Sequence, residues 1–218
     1  MSRGDKHAEA PAGQLAAGFL VRLLHPLSYP FLAFIVMYGE YVFEGFFWLP
    51  FIRPLIAMGV ARNMYKRLRK KPPIKLKTQK QVATYARILE PAAMLAGLVV
   101  WLVFSYVFLR QRSTDYFWEL VLFPTLLALG IRFFWNVSLH HISFGALTTI
   151  AYFSGYTETY FWIPMLTLTI AMYLGWAMVQ LRRHSVLQSA VGFVAGVVAI
   201  TIYKLAYLPL VWDASVLH

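Results

Sequence analysis

Seven apolar stretches, separated by short polar or basic junctions, constrain the fold of this chain more than any other feature. A helix needs roughly 20 apolar residues to cross the hydrocarbon core of a bilayer. Hydrophobic residues make up 60% of the sequence and charged residues only 13%, against about 25% charged in an average soluble domain. The sequence therefore predicts an all-α, polytopic bundle of membrane helices. The stretches cover residues 27–43, 46–61, 91–109, 118–135, 139–155, 160–181 and 187–210.

The second stretch, residues 46–61, fits a full membrane crossing least well. It contains Pro50, Arg53 and Pro54, and proline removes helix hydrogen bonds that lipid cannot replace. A kinked half-helix or an interfacial segment is therefore the alternative to a full crossing. Six or seven transmembrane helices are predicted.

The composition also divides the chain and excludes some chemistry. Residues 1–20, which begin with a polar or small segment, are interpreted as a flexible N-terminal tail, and residues 21–218 as the transmembrane helical domain. The sequence contains no cysteine. Disulfide scaffolds, thiolate zinc sites and cysteine nucleophiles are therefore excluded.

Positive charge is concentrated in one segment, residues 62–90, which is interpreted as a basic loop. The chain has a net charge of +11, and the interval from Arg62 to Arg87 contains ten Lys or Arg residues and no acid. In a soluble protein this would suggest a nucleic-acid partner, but between apolar stretches it indicates a cytoplasmic loop beside anionic lipid. No nucleic-acid partner is expected, and part of the loop stays a candidate phosphate-binding segment.

The order of the junctions predicts that distant residues share one membrane face. The junctions at 62–90, 132–141 and 182–187 are separated from each other by two apolar stretches each. Two crossings return a chain to the side that it left, and the positive-inside rule assigns that side to the cytoplasm. The polar residues expected to converge there are Lys77, Lys80, Arg132, His140, His141, Arg182, Arg183 and His184.

Two histidines in these junctions are the candidates for catalysis. His140 opens the fifth stretch and His184 precedes the last. Imidazole can attack phosphorus or transfer a proton near neutral pH, while nearby cations stabilise the oxygens of a phosphoryl transition state. The alternatives are hydrogen-bonded structural histidines, a capping role for His25, and lipid-interface anchors for Arg182 and Arg183. Haem ligation by two histidines is disfavoured, because the candidates lie at helix ends on one face.

Two short motifs surround these histidines. Ser138 and His140 form a Ser-x-His sequence, and His184 precedes Gln188 at the start of the last apolar stretch. Together they resemble the second and third motifs of the type 2 phosphatidic acid phosphatase superfamily, in its divergent bacterial membrane form. The resemblance extends over most of the chain and is specific over residues 135–196.

The resemblance implies a metal-independent phosphohydrolase without a cofactor, acting on a lipid phosphate or an isoprenoid pyrophosphate in the bacterial inner membrane. It implies that His184 is the nucleophile that forms a phosphohistidine, and that His140 protonates the leaving group. The candidate residues for substrate binding are Lys77, Lys80, Ser138 and Gln188, together with Arg182 and Arg183 as substitutes for a family Arg whose matching position they do not occupy.

The sequence also departs from the family pattern. Met178 stands six residues before His184, where the family has a phosphate-holding Arg, and Gln188 stands where many relatives have Asp. The first motif is reduced to residues 77–80 without an Arg-Pro pair. These departures favour the alternative hypothesis, a catalytically inactive subunit that packs within a larger membrane protein complex and contacts lipid, quinone or pigment.

Overall fold

The structure, a computed structural model, is all-helical throughout the part of the chain that it describes. The described residues are 12–33, 35–36, 48–70, 72, 78–109, 117–153 and 162–207. They form helices α1 (Ala12–Leu23), α2 (Trp48–Lys70), α3 (Gln79–Leu109), α4 (Phe117–Phe134), α5 (Leu139–Phe153), α6 (Trp162–Gln180) and α7 (Val186–Ile202). A 3-10 turn at Pro26–Ser28 follows α1, and a π-helical turn at Tyr203–Tyr207 ends α7. The predicted all-α fold class is confirmed.

Four of the helical segments are long and apolar enough to cross a membrane. They are Gly13–Ala33, Gln79–Val103, Trp162–Gln180 and Val186–Ala206, and Leu120–Phe134 is a shorter apolar helix. The described residues therefore form a helical membrane protein. This search covers the described residues only. Two helices that the prediction of six or seven spans also counted do not meet the criterion: α5 has only 15 residues, and the C-terminal half of α2 is rich in Lys and Arg.

The helix bounds differ from two of the predicted segment boundaries. Helix α1 begins at Ala12, inside the segment interpreted as a flexible tail, and its side chains Ala17 and Val21 are buried. Helix α2 continues to Lys70 and α3 already begins at Gln79, so most of the predicted basic loop is helical. The run of basic residues correctly indicated a polar segment. It did not distinguish a loop from a helix, because Lys and Arg are also good helix formers.

The start of α3 is fixed by a reciprocal cap. The Gln81 backbone N–H donates to the Thr78 hydroxyl at 3.2 Å, and the Thr78 N–H donates to the Gln81 side chain at 3.1 Å. This arrangement satisfies two backbone donors that a helix N-terminus would otherwise leave free. The same Thr-x-x-Gln pattern explains why the chain turns helical about twelve residues before the apolar stretch that begins near residue 91.

Helices α5 and α7 pack backbone to backbone along a seam of glycines. A methyl group on Gly145 would collide with the carbonyl of Phe193, and one on Gly196 with the carbonyl of Ile142. One on Gly192 would lie 2.7 Å from the Ser138 carbonyl oxygen. Small residues let membrane helices approach this closely, and the seam holds the N-terminal ends of α5 and α7 side by side.

Candidate functional site

Three helix junctions meet at one end of the bundle and form a polar cluster. The backbone N–H of Ser138 donates to the carbonyl of Gln188 at 3.3 Å, which joins the start of α5 to the start of α7. The ring of His25, from the turn after α1, lies edge-on to the ring of His140 with 6.0 Å between centroids. We use the name polar cluster for this set: His25, Glu90, Arg132, His140, His141 and His184.

His140 and His184, the two predicted catalytic residues, are brought into electrostatic range of each other. His141 lies in range of His184 as well. The expected convergence of the 132–141 and 182–187 junctions is therefore present in the structure, at one end of the bundle. The membrane side on which this end lies stays a prediction.

A buried ion pair anchors the cluster. The Arg132 guanidinium donates to Glu90 at 2.9 Å, and the side chains are only 7% and 18% exposed. The second carboxylate oxygen of Glu90 lies 3.9 Å from Nε2 of His25. Sequence reasoning missed Glu90, although an acid at the edge of an apolar helix was a usable signal, because such a group must find a partner.

His25 has the capping role considered from the sequence and also belongs to the cluster. Its Nδ1 accepts a hydrogen bond from the backbone N–H of Leu27 at 3.2 Å, at the start of the 3-10 turn. The cap holds the ring between Glu90 and His140. The hydrogen bond that caps the turn therefore also places the His25 ring against His140, the predicted proton donor.

His140 and His141 are both buried but have different neighbours. The Ser138 hydroxyl and His141 Nδ1 share a hydrogen bond of 2.8 Å. Ser138, predicted to bind substrate beside His140, is thus paired with the next histidine along the chain. Nε2 of His140 and Nε2 of His141 have no partner in full hydrogen-bond geometry among the described residues, and the backbones of Val21 and Ala171 respectively lie beside the two rings. Buried polar nitrogens are seldom left unpaired, so these rings are suited to meeting a ligand.

His184 lies in the junction between α6 and α7, outside the apolar spans. Burial lowers the pKa of His184 below its ordinary value, and the positive charge of Arg132 lowers it further. Contacts with the Gln188 side chain and the Asn136 backbone act in the opposite direction. The ring is therefore uncharged at neutral pH, the form in which imidazole acts as a nucleophile, and its buried Nδ1 lacks a hydrogen-bond partner.

Gln188 has a structural role at the start of α7. Its side-chain oxygen accepts from the Ser185 N–H at 2.9 Å, and its own N–H donates to the Ser185 hydroxyl at 3.2 Å. This capping box fixes the backbone directly after His184. Gln188 thus positions the nucleophile candidate through the backbone, and it also lies beside the ring.

Arg182 and Arg183 terminate α6. The Arg183 N–H donates to the Met178 carbonyl at 3.0 Å and the Arg182 N–H to the Val179 carbonyl at 2.9 Å, which is a Schellman arrangement. Arg182 adopts the left-handed conformation that this motif requires, with φ of 51°. Both side chains are exposed, and Arg183 lies within electrostatic range of His25.

Of the two lysines predicted to bind substrate, the structure describes only Lys80. Lys77 lies outside the described residues. Lys80 is exposed in the first turn of α3, ten residues before Glu90, and this spacing corresponds to about 15 Å along a helix axis. The described cation that acts on His184 is Arg132. The sequence analysis placed Arg132 on the same membrane face but did not predict that it lies near His184.

Met178 occupies an interior position. Its side chain is 1% exposed, so the position where the family has a phosphate-holding Arg is filled with an apolar core residue. The available guanidinium comes from α4 instead, and its Nε has no hydrogen-bond partner among the described residues. Within the same residues, no group of three His, Asp or Glu side chains is arranged to hold a metal ion.

Comparisons of this chain with protein-family models, with curated proteins and with solved structures gave no match. The resemblance to the phosphatase superfamily therefore stays a prediction.

Proposed function

We propose that the polar cluster binds the phosphate group of a membrane lipid, and that the protein hydrolyses this phosphate through His184. One observation carries the proposal. His184 lies with Arg132 and His140, more than forty residues earlier in the chain, at the end of an apolar bundle, and each of the three has a buried nitrogen without a hydrogen-bond partner among the described residues. A phosphate group offers the oxygens and the electrophilic phosphorus that such a set can use.

The reaction assigns each group one role. The uncharged ring of His184 attacks phosphorus, the bond from phosphorus to the lipid oxygen breaks, and the lipid oxygen takes a proton as it leaves. Water then attacks the phosphohistidine, which releases inorganic phosphate and restores the free ring. The Arg132 guanidinium stabilises the negative oxygens at both stages.

His140 is the proposed proton donor, and two neighbouring side chains hold its ring in place. The ring is 7% exposed and lies edge-on to His25, which in turn lies 3.9 Å from the Glu90 carboxylate. Glu90, in its ion pair with Arg132, holds the His25 ring, and the His25 ring packs edge-on against His140. We assign His25 and Glu90 as positioning residues for this step.

A non-catalytic membrane subunit is the second candidate function. Two observations favour it: Met178 is buried where a phosphate-holding Arg is expected, and the Arg132 charge is already balanced by Glu90. In this case the exposed side chains of α6, such as Trp162, Met172 and Trp176, contact lipid or other subunits. The proposed location for either function is the bacterial inner membrane, with the cluster on the cytoplasmic side.

The test is phosphate release from diacylglycerol phosphate and from an isoprenoid pyrophosphate by the purified protein in lipid nanodiscs. We expect release to fall at least about a hundredfold in His184→Ala, because the nucleophile is lost. Leu187→Ala is the matched control, since this exposed side chain lies one turn away and outside the cluster. Circular dichroism establishes that both variants are folded. Equal release by the wild type and His184→Ala would contradict the proposal and favour the subunit.

A further inference from the structure

A groove between α6 and α7 borders the polar cluster at His141 and extends away from His184 and Arg132 along the apolar faces of the two helices. It has a volume of about 570 Å³, which is within the range of small-molecule sites. Its walls come from two of the helices long and apolar enough to span a membrane. The apolar residues that form most of its surface include Leu168, Met172, Trp176, Val179, Phe193 and Val194.

Two buried polar side chains interrupt this apolar lining. His141 is 4% exposed and Ser189 is 5% exposed, and both line the groove. Nε2 of His141 and the hydroxyl oxygen of Ser189 have no hydrogen-bond partner among the described residues. A buried polar atom without a partner is costly, so two beside one groove indicate that a ligand supplies the missing bonds.

The geometry around His141 explains how its ring comes to face the groove. Nδ1 is occupied by the Ser138 hydroxyl, and Nε2 lies beside the Ala171 backbone without a partner in full hydrogen-bond geometry, so Nε2 is the nitrogen that can bond to a ligand. Gly175, another lining residue, has no side chain, and a methyl group there would lie 3.2 Å from Nε2. The glycine therefore lets the ring approach the backbone of α6 at the wall of the groove.

The lining also defines the charge of the occupant. Among the described residues that line the groove, none is an Asp, Glu, Lys or Arg. An ionised group placed here would lose its hydration without gaining a counter-ion, which is strongly unfavourable. A phosphate-bearing lipid head does not fit this site, whereas an uncharged oxygen does.

We propose that the groove binds an uncharged apolar lipid through one oxygen, held between His141 Nε2 and the Ser189 hydroxyl. A long-chain alcohol and a quinone both fit this description, because each has an uncharged oxygen that can form hydrogen bonds and a long apolar chain. The rim residues Met172, Trp176 and Val194 are exposed on the spanning helices, so the ligand enters sideways from the bilayer. This binding site does not depend on the proposed hydrolysis, since it uses neither His184 nor Arg132.

Competition against a photoreactive farnesol analogue, with the full-length protein in nanodiscs, tests the proposal. We expect labelling of peptides from α6 and α7, and displacement by unlabelled farnesol, by decylubiquinone or by both, but not by dodecane. Displacement by farnesol alone identifies the alcohol as the preferred source of the oxygen, and displacement by decylubiquinone alone identifies the quinone.

Two substitutions remove the proposed contacts. Ser189→Ala and His141→Phe are each expected to weaken binding about tenfold, the effect of one lost hydrogen bond. Thr149→Val is the matched control, because it removes a buried hydroxyl from α5 that bonds to the Gly145 carbonyl and does not line the groove. Ser189→Ala should leave the ligand-free protein as stable as the wild type, since the deleted hydroxyl has no partner there.

A filling substitution provides a further check that does not disturb the polar atoms. Ala190→Phe places a ring in the groove from an exposed position on α7 and is expected to abolish labelling of α6 and α7. The proposal is wrong if dodecane competes as well as farnesol and decylubiquinone, if labelling lies outside these helices, or if Ser189→Ala binds as tightly as Thr149→Val.

Discussion

Glu90→Leu is expected to lower the free energy of unfolding by about 3–5 kcal/mol, because it leaves the buried Arg132 guanidinium without its carboxylate. The two side chains are 18% and 7% exposed, so water cannot replace the lost 2.9 Å contact. The substitution also removes the neighbour 3.9 Å from His25. Unfolding by SDS in mixed micelles, followed by circular dichroism, measures the change.

The double variant Glu90→Leu/Arg132→Met is the control for this prediction. Removing both charges leaves no unpaired ion, and two apolar side chains of similar size can pack in their place. We therefore expect the double variant to recover most of the lost stability. A single variant as stable as the wild type, or a double variant less stable than the single one, would contradict the proposed role of the ion pair.

Gly196→Leu is expected to destabilise the protein by at least about 3 kcal/mol, at the upper end of overpacking effects. The added side chain would collide with the Ile142 carbonyl, and its first carbon would lie 2.7 Å from the Ala146 nitrogen. Both obstacles are backbone atoms of α5, so no rotamer change can relieve the contact. The helices must separate, which also moves His140 away from the start of α7.

Gly130→Leu is the matched control on α4, where no atom lies within 4 Å of an added methyl group. It introduces the same side chain into a helix and should be neutral or slightly stabilising, because glycine is a poor helix former. The yield of folded, monodisperse protein and the SDS unfolding midpoint compare the two. Similar behaviour of both variants would mean that α5 and α7 are not in backbone contact.

The C-terminal half of the fold was readable from the sequence because its apolar stretches coincide with whole helices. The stretches predicted at 118–135 and 139–155 correspond to Phe117–Phe134 and Leu139–Phe153. The N-terminal half was harder, since α1 and the end of α2 contain polar and small residues. Hydropathy identifies segments that are buried in lipid or in the protein core. It does not distinguish a polar helix from a loop.

The candidate site was predictable in location but not in its contacts. Counting crossings placed His140 and His184 at the same end of the bundle, because that argument needs only the order of the helices. The pairing of Ser138 with His141, and of Arg132 with Glu90, depends on how each helix is rotated about its axis. Neighbouring residues on a helix point about 100° apart, so the sequence alone did not decide which histidine faces which partner.

The most direct measurement of the central claim is rapid-quench trapping of a phosphoenzyme. The purified protein is mixed with radiolabelled diacylglycerol phosphate and stopped in alkali within its first turnover, because a phosphohistidine survives alkali and is lost in acid. We expect an alkali-stable, acid-labile label on the peptide that contains His184, and no label on His184→Ala. Phosphate release without a labelled protein, label on another residue, or no reaction by the folded wild type would contradict the account.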